Sequence, residues 1–554
     1  MAQARRPDAA PALPVWPAPS PQVATTAAAA EVAIASWRAS KPAAVAIYVA
    51  ARGSGAWADP DDHRHGEPWA IALARDRAAP DVNERETLAL ADGALSAVDT
   101  LLQWFAQPEA PYVVAHGAQA TLARLWRLAG EPLAPARLGC TRTAAVLLGE
   151  GAGDPREHEL RGAVAAQLQR ALMLPHWIPE QEHDGRVQCA AAAAAVLSLV
   201  ATMVPRLRSL GAIAAYQLEC ELVPAVVAME LAGTPCDAAA FERVAAGWRA
   251  EKLQATAAER VTRLDKLIST YGHWPQDFVR ADRIHARLHP LAADSGRFSC
   301  TDPNLQQVPS EHTAPGLRAC FRAPPGMALV VADYAQIELR VAAQLAPCDA
   351  LAAVFHEGRD PHRATAATLS GKPEPEVTAH ERKLAKAVNF GFLFGMGAER
   401  FRDYARSGYG LELDLAAARR AREAFFTTFP GLAAWHRRVA ERCRGPGPHV
   451  VRTALGRRKR FPDDAVSVPA ALNIPVQGTA AEGFKRAMIG LHAALPRLGA
   501  RGVLVVHDEY LAEVPADRAQ DVRAHVVEIM QTQMATVVSR VPIVVEAEVV
   551  DCWR

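Results

Sequence analysis

A multidomain chain of mixed class, with a small α/β region in front and a longer α+β region behind, is the fold that the sequence predicts. Three observations carry it. Between residues 32 and 205, short apolar runs such as 43–51 and 112–115 alternate with helical patterns, the signature of a layered α/β domain. A mostly helical stretch follows. The C-terminal part then shows strand-turn-helix at 329–340, a largely helical 347–462, and two strand-like runs around a helix at 503–550.

The 554 residues are enough for several domains with substantial cores. Half are hydrophobic and 22% are charged, an ordinary globular composition. With a formal net charge of +1, contact with a polyanion has to come from local basic surfaces and not from bulk charge. The nine cysteines form no CxxC and no Cys/His ligand cluster, which disfavours structural zinc and points to a reducing compartment. Arg5 and Arg6 lead into Ala/Pro-rich sequence and not into an apolar signal core. The most apolar stretch, 189–204, is mostly alanine, ends at Pro205, and reads as too short and too weakly hydrophobic for a membrane span. A soluble, cytoplasmic protein is expected.

In chain order, residues 1–30 read as a disordered Ala/Pro-rich leader and 31–205 as the α/β domain. Between residues 241 and 268, Phe241, Val244, Trp248, Val261, Leu264 and Ile268 keep helical spacing. Arg243, Arg249, Lys252, Arg260, Arg263 and Lys266 fall largely on the rest of the wheel; they read either as a solvated face or as an arm that tracks phosphates.

Three separated segments hold the candidate chemistry. Asp333 ends the apolar run Leu329-Val-Val-Ala, where a lone Asp would often be a helix N-cap but is also well placed for a metal. His507-Asp-Glu509 lies between two apolar runs, so a hairpin should project its carboxylates from the tip. Thr378-Ala-His-Glu381 is a capping-box pattern, so a helix should start just before Arg382. Arg382, Lys386, Phe390 and Phe394 recur at steps of four along it, and such steps drift by only ~40°, giving one stripe. Two cations near a helix start suit a triphosphate, and two aromatics beyond them suit a sugar and a base.

In combination, and with Asp294-Ser-Gly-Arg-Phe-Ser-Cys-Thr-Asp-Pro-Asn-Leu-Gln-Gln-Val-Pro309, Asp360-Pro-His-Arg-Ala-Thr-Ala366, Leu455-Gly-Arg-Arg458 and Asn473-Ile-Pro-Val-Gln-Gly-Thr-Ala-Ala481 in the same order, the chain resembles the family A DNA polymerases, the bacterial DNA polymerase I group. The resemblance covers roughly residues 219–553. It implies a right-hand polymerase preceded by an RNase H-like, exonuclease-type α/β domain. The thumb would be 206–295, the palm 296–346 with 463–554, and the fingers 347–462.

The resemblance also implies roles for single residues. Asp333 and Asp508, with the Tyr334 carbonyl, would hold two Mg²⁺ ions, supported by Glu509 and His507. Arg382, Lys386 and His362 would contact the incoming triphosphate, and Lys386 could protonate the leaving group. Gln336 would join the nucleotide site, Phe390 would pack on the sugar, and Phe394 would stack at the template position. Glu338 would block a 2′-OH, selecting dNTPs. Arg297, Asn473 and Gln477 would read the minor groove, where acceptors sit at near-constant positions, and His507 would face DNA. Primer-template DNA and dNTPs are thus the expected partners, with a processivity or repair protein as a further one and no membrane.

Departures shape the expectation. Phe394 stands where the family usually has Tyr, and Pro469 where it commonly has Arg. The segment 236–294 is short for a thumb, which predicts a weak grip on DNA. In the front domain the Asp-x-Glu pair of a 3′–5′ exonuclease becomes Tyr48 and Ala50, its Asn and Asp become Gly117 and Thr121, and its Tyr and Asp become Cys189 and Ala193, so without these carboxylates no excision is expected. The sequence leaves replication and gap-filling or lesion-tolerant repair as open roles. A catalytically dead DNA-binding subunit would predict erosion of the polymerase motifs, yet Asp333, Arg382, Lys386 and Asp508 all stand.

Overall fold

Residues 13–17, 19–53, 66–76, 85–150, 158–172, 182–462 and 466–554 are described by a computed structural model of the chain. They fall into two compact units, Met1–Val227 and Ala228–Arg554, and the division lies inside the helix Ile213–Ala232.

In the first unit, β1 (Gln22–Ala24), β2 (Ala44–Gly53), β3 (Gly66–Arg75), β4 (Glu86–Ala91), β5 (Tyr112–Ala115) and β6 (Leu138–Cys140) form one sheet in the order β1-β4-β3-β2-β5-β6. β2, β3 and β4 are an antiparallel meander, while β5 and β6 continue the sheet in parallel from β2. Part of the expected leader is ordered here. β1 pairs in parallel with β4, and the helix Ala27–Ala39 begins at a Thr26 N-cap, because three extended residues at a sheet edge need backbone partners more than apolar side chains. Residues 1–12 and 18 of that leader lie outside the described residues.

The apolar stretch expected to end at Pro205 is part of a longer helix, Glu182–Ser209. Its portion Gly185–Ser209 is long and apolar enough to cross a membrane by length and composition, which corrects the sequence expectation. Pro205 is tolerated because the carbonyl it leaves unpaired belongs to exposed Ala201. The helix packs on β2, β3 and β4, and the run from Cys189 to Leu197 is buried in the unit, its alanines allowing close approach to the sheet.

In the second unit β7 (Thr234–Pro235), β8 (Val279–Arg280) and β9 (Arg283–Ile284) form a small sheet, and β10 (Arg287–His289) pairs with β11 (Ser299–Thr301). β12 (Met327–Tyr334) comes next, then the hairpin of β13 (His449–Arg452) and β14 (Arg458–Phe461). β15 (Arg501–Val506), β16 (Glu509–Pro515) and β17 (Val545–Val550) complete an antiparallel sheet with β12, ordered β15-β16-β12-β17. The helices Val468–Ala494 and Ala519–Ala535 pack together, and the second lies on this sheet, where the Tyr334 hydroxyl donates to the Met530 carbonyl at 2.8 Å.

Six helices fill 349–444, held by the buried rings of Phe392, Phe401, Phe425 and Phe429. Phe392 and Phe401 approach to 4.4 Å between centroids, and a Cβ on Gly391 would meet Phe401 at 2.8 Å, so the helix Ala379–Leu393 needs glycine there. The basic arm is real as a pair of helices, Ala238–Gln254 and Ala258–Tyr271, but much of its charge is used internally. Lys252 pairs with Asp265, Arg260 with Glu251, and Arg243 with Asp237 at 3.6 Å, while Arg249 and Arg263 donate to the carbonyls of Gly272 and His312.

One buried carboxylate ties the small sheet to the large one. Glu513 on β16 is 1% exposed and accepts from Arg283 of β9 and from Arg501 of β15, each at 2.6 Å. Removing it takes the carboxylate from the partly buried Arg283, so Glu513→Ala should cost about 2 kcal/mol, read as a lower denaturant midpoint at an unchanged m-value.

Candidate active site

The site grows out of β12. Its apolar residues make it a central strand, and it runs past the end of the apolar run to Tyr334, which puts Asp333 in register opposite Glu509 on one side and Glu546 on the other. After Ala335 the chain turns through Gln336 in the left-handed region (φ 55°) into the helix Ile337–Leu345, bringing Glu338 into its first turn. Across the sheet, β15 and β16 are joined by the two-residue turn His507-Asp508, with His507 left-handed as well (φ 58°). Such a conformation in a non-glycine residue costs of the order of 1 kcal/mol, and both instances flank the carboxylates.

The helix Ala379–Leu393 is set by the expected capping box: Thr378 Oγ1 accepts from the Glu381 amide, and Glu381 accepts from the Thr378 amide. Its position is fixed from the neighbouring helix Pro361–Ser370, whose N-cap Asp360 accepts from the His362 amide at 2.8 Å and from Arg382 Nε at 2.5 Å. Burial would raise Asp360, but these hydrogen bonds and the charges of His362 and Arg382 hold it below the usual carboxylate range. Asp360 opens the segment Asp360-Pro-His-Arg-Ala-Thr-Ala366, and its Asp-Pro pair is a visible helix-start signal.

A cleft of about 520 Å³ opens between these elements. Asp333, Tyr334, Gln336 and Glu338 line it from β12 and its exit, and His507 and Asp508 from the hairpin. Arg382, Lys386 and Phe390 face them from the cationic helix, with His362 beside them and Arg297 at the rim. The rings of His362 and Phe390 are 5.9 Å apart. Glu546 also lines the cleft, which the sequence reading missed: only the β12–β17 register reveals it.

Other candidates stand elsewhere. Phe394 is the helix C-cap (φ −102°, ψ 22°), one residue past the last helical one, and does not line the cleft. Glu509 is drawn aside by the Trp553 indole, which donates to it at 2.7 Å. Asn473 and Gln477 lie on the helix Val468–Ala494, outside the cleft lining, and Asn473 Oδ1 is buried with no hydrogen-bond partner among the described residues. Arg297 pairs with Glu338 at 2.5 Å.

Electrostatically the carboxylates are strained. Burial, then the charges of Asp508 and Glu509, push Asp333 up to about 7. Burial likewise raises Asp508, opposed by Arg297 and His507, and raises Glu338, opposed by Arg297. A divalent cation between Asp333 and Asp508 would offset this repulsion, and oxygen donors suit Mg²⁺. Among the described residues no group of three or more His, Cys, Asp or Glu is arranged to hold a metal by itself. Two carboxylates completed by substrate phosphates and water are therefore the donor set that fits.

In the first unit, the positions expected to lack exonuclease carboxylates can also be placed. Tyr48 lies on β2, and burial, then Cys189, raise its hydroxyl while Arg124 and Arg161 act in the opposite sense, so these groups share one surrounding. Gly117 is the left-handed N-cap (φ 68°) of the helix Ala118–Ala129, on which Thr121 is buried. Cys189 and Ala193 are buried on the core helix, and burial pushes the Cys189 thiol to about 12.

A family model described as DNA polymerase family A matches residues 232–554. DNA polymerase I of Aquifex aeolicus is 34% identical over 280 residues, 50% of this chain and 47% of that protein. The thermostable DNA polymerase I of Thermus filiformis is 42% identical over 48% of this chain and 32% of its own, and that of Thermus aquaticus is 38% identical over 52% and 35%. The matched part thus spans about half or less of these relatives' length. The structure of the POL domain of Pol1 from M. smegmatis, in complex with DNA primer-template and dNTP, has the same fold, with a TM-score of 0.76 over 94% of this chain and 97% of that one at 22% identity.

The strained carboxylates give a stability test. A carboxyl whose folded pKa is raised binds its proton more tightly when folded, so its contribution is present at low pH and is lost as pH rises through about 7 for Asp333. In EDTA, the melting temperature of Asp333→Asn should therefore exceed that of the unmodified protein by a margin that grows from pH 5.5 to pH 8.

Proposed function

The chain belongs to DNA polymerase family A, and from that premise we propose that it is a DNA-directed DNA polymerase, adding dNTPs to a primer 3′-OH by two-metal-ion nucleotidyl transfer without 3′–5′ excision. The observation that carries this reading is the cleft in which Asp333 and Asp508 face Arg382, Lys386 and His362. The antiparallel sheet with its two long helices would be the palm, the helices of 347–462 the fingers, and the helical arm the thumb.

Asp333, Asp508 and the Tyr334 carbonyl are the groups that would hold two Mg²⁺ ions, whose chemistry when bound is to lower the pKa of the primer 3′-OH and stabilise the pyrophosphate. Arg382 and Lys386 neutralise and orient the triphosphate, and Lys386 can give a proton to the departing pyrophosphate. Arg382 is pre-oriented for this by Asp360. Phe390 packs against the sugar and Gln336 lines its surroundings. Glu338, held by Arg297, fills the space a 2′-OH would need. Phe394 stacks at the template only after a movement, since here it caps the helix outside the cleft. Asn473, Gln477 and Arg297 meet the minor groove of the new pair, and His507 the primer end.

The front unit fits a proofreading domain that has lost its chemistry. Tyr48, Ala50, Thr121 and Ala193 offer no carboxylate to bind two metals, and a two-metal nuclease needs several. Internal pairing of the basic arm supports low processivity, which suits gap-filling or a partner protein that supplies grip. Primer-template DNA and dNTPs are the proposed substrates, and the cytoplasm the proposed location.

Extension of labelled matched and 3′-mismatched primers tests the reading. With Mg²⁺ and dNTPs the matched primer should lengthen; without dNTPs neither should shorten. Asp508→Ala should lower extension by on the order of 10³-fold, the several kcal/mol a metal site supplies, with primer-template binding retained. Glu338→Ala should admit ribonucleotides, and unchanged sugar selection in a competition assay would remove the steric-gate assignment.

A further inference from the structure

Beneath the cationic wall of the cleft lies a buried chain of hydrogen bonds that the proposed reaction does not use. Asn389 is fully buried and His362 is 2% exposed. Asn389 Nδ2 is 3.1 Å from the Pro361 carbonyl oxygen and 3.0 Å from His362 Nδ1. Thr365, also fully buried, has its Oγ1 2.7 Å from Asn389 Oδ1, to which it donates, and 3.1 Å from the Pro361 carbonyl oxygen.

These partners leave little choice of proton positions. The Pro361 carbonyl can only accept, so the atom facing it must be the amide nitrogen, which settles the orientation of the Asn389 side chain. The second proton of that nitrogen points at His362 Nδ1, which must then accept. A neutral imidazole that accepts at Nδ1 carries its proton on Nε2, and the ring lines the same cleft as Arg382 and Lys386.

We propose that Asn389 is a positioning residue that locks His362 as the Nε2–H tautomer, so that the cleft presents a neutral hydrogen-bond donor to the phosphates of the incoming nucleotide. This rests on the polymerase reading above. Arg382 and Lys386 already bring two positive charges to this wall. A neutral third donor adds direction without adding like-charge repulsion. Burial first, with Arg382 and Lys386 acting in the same sense against Asp360, pushes His362 down to about 4, which keeps the imidazole uncharged at neutral pH.

The lock is read first on the unmodified protein. Long-range ¹H–¹⁵N correlation of the histidine rings, with His362 assigned from its loss in His362→Gln, should show the Nε2–H tautomer from pH 6 to pH 8; an Nδ1–H ring overturns the proposal. Asn389→Asp keeps the shape but puts acceptors where the amide donated, so the neutral His362 ring should carry its single proton on Nδ1 and give up the one on Nε2. The KM for dNTP should then rise about tenfold, the worth of one hydrogen bond, with kcat changed less. In a His362→Ala background Asn389→Asp should have no further effect on KM; an equal penalty in both backgrounds would make Asn389 merely structural and overturn the lock. The tautomer is measured without turnover. Nε2–H with no primer extension sinks the polymerase reading alone, and Nδ1–H with normal extension sinks this inference alone.

Discussion

Two carboxylates that repel each other are held side by side because the sheet carrying them is stable for other reasons. β12 is flanked on both sides by antiparallel partners, and its side chains from Ala328 to Ala332 are buried. That burial outweighs the cost of bringing Asp333 near Asp508 and Glu509. Left-handed His507 and Gln336 are supported in the same way, by the strands and helix that leave no other path for the chain. Everything else at the cleft follows from this placement: a strained anionic floor invites cations, and the opposite wall supplies the groups for a polyanion.

That opposite wall is organised by capping and buried polar contacts more than by the cations themselves. Asp360 starts one helix and orients Arg382 on the next, while Asn389 joins the second helix to His362 on the first. The two helices therefore present their cleft-facing groups as one body, with the phenylalanine cluster behind them as rigid backing. Glu338 and Arg297 pair across the remaining side, so that this carboxylate is kept in place without being left uncompensated.

The first unit is held together by the same kind of burial. Its sheet and alanine-rich core helix are well packed, Thr121 and Cys189 are buried within it, and Arg124 and Arg161 act on the Tyr48 hydroxyl.

The fold class was legible in the chain because apolar runs and helical stripes are local, and so were the capping box at Thr378, the hairpin tip at His507-Asp508 and the four cleft residues Asp333, Asp508, Arg382 and Lys386, each marked by a motif of a few residues. Local pattern misled at two places. The ordered β1 in the leader and the helix running through Pro205 each depend on what the backbone meets beyond its neighbours in sequence. Tertiary structure alone decided that Trp553 draws Glu509 aside, that Glu546 stands beside Asp333, and that Asn389 sets the proton on His362. Hydrogen bonds and strand register join residues tens to hundreds of positions apart, and no periodicity in the sequence records them.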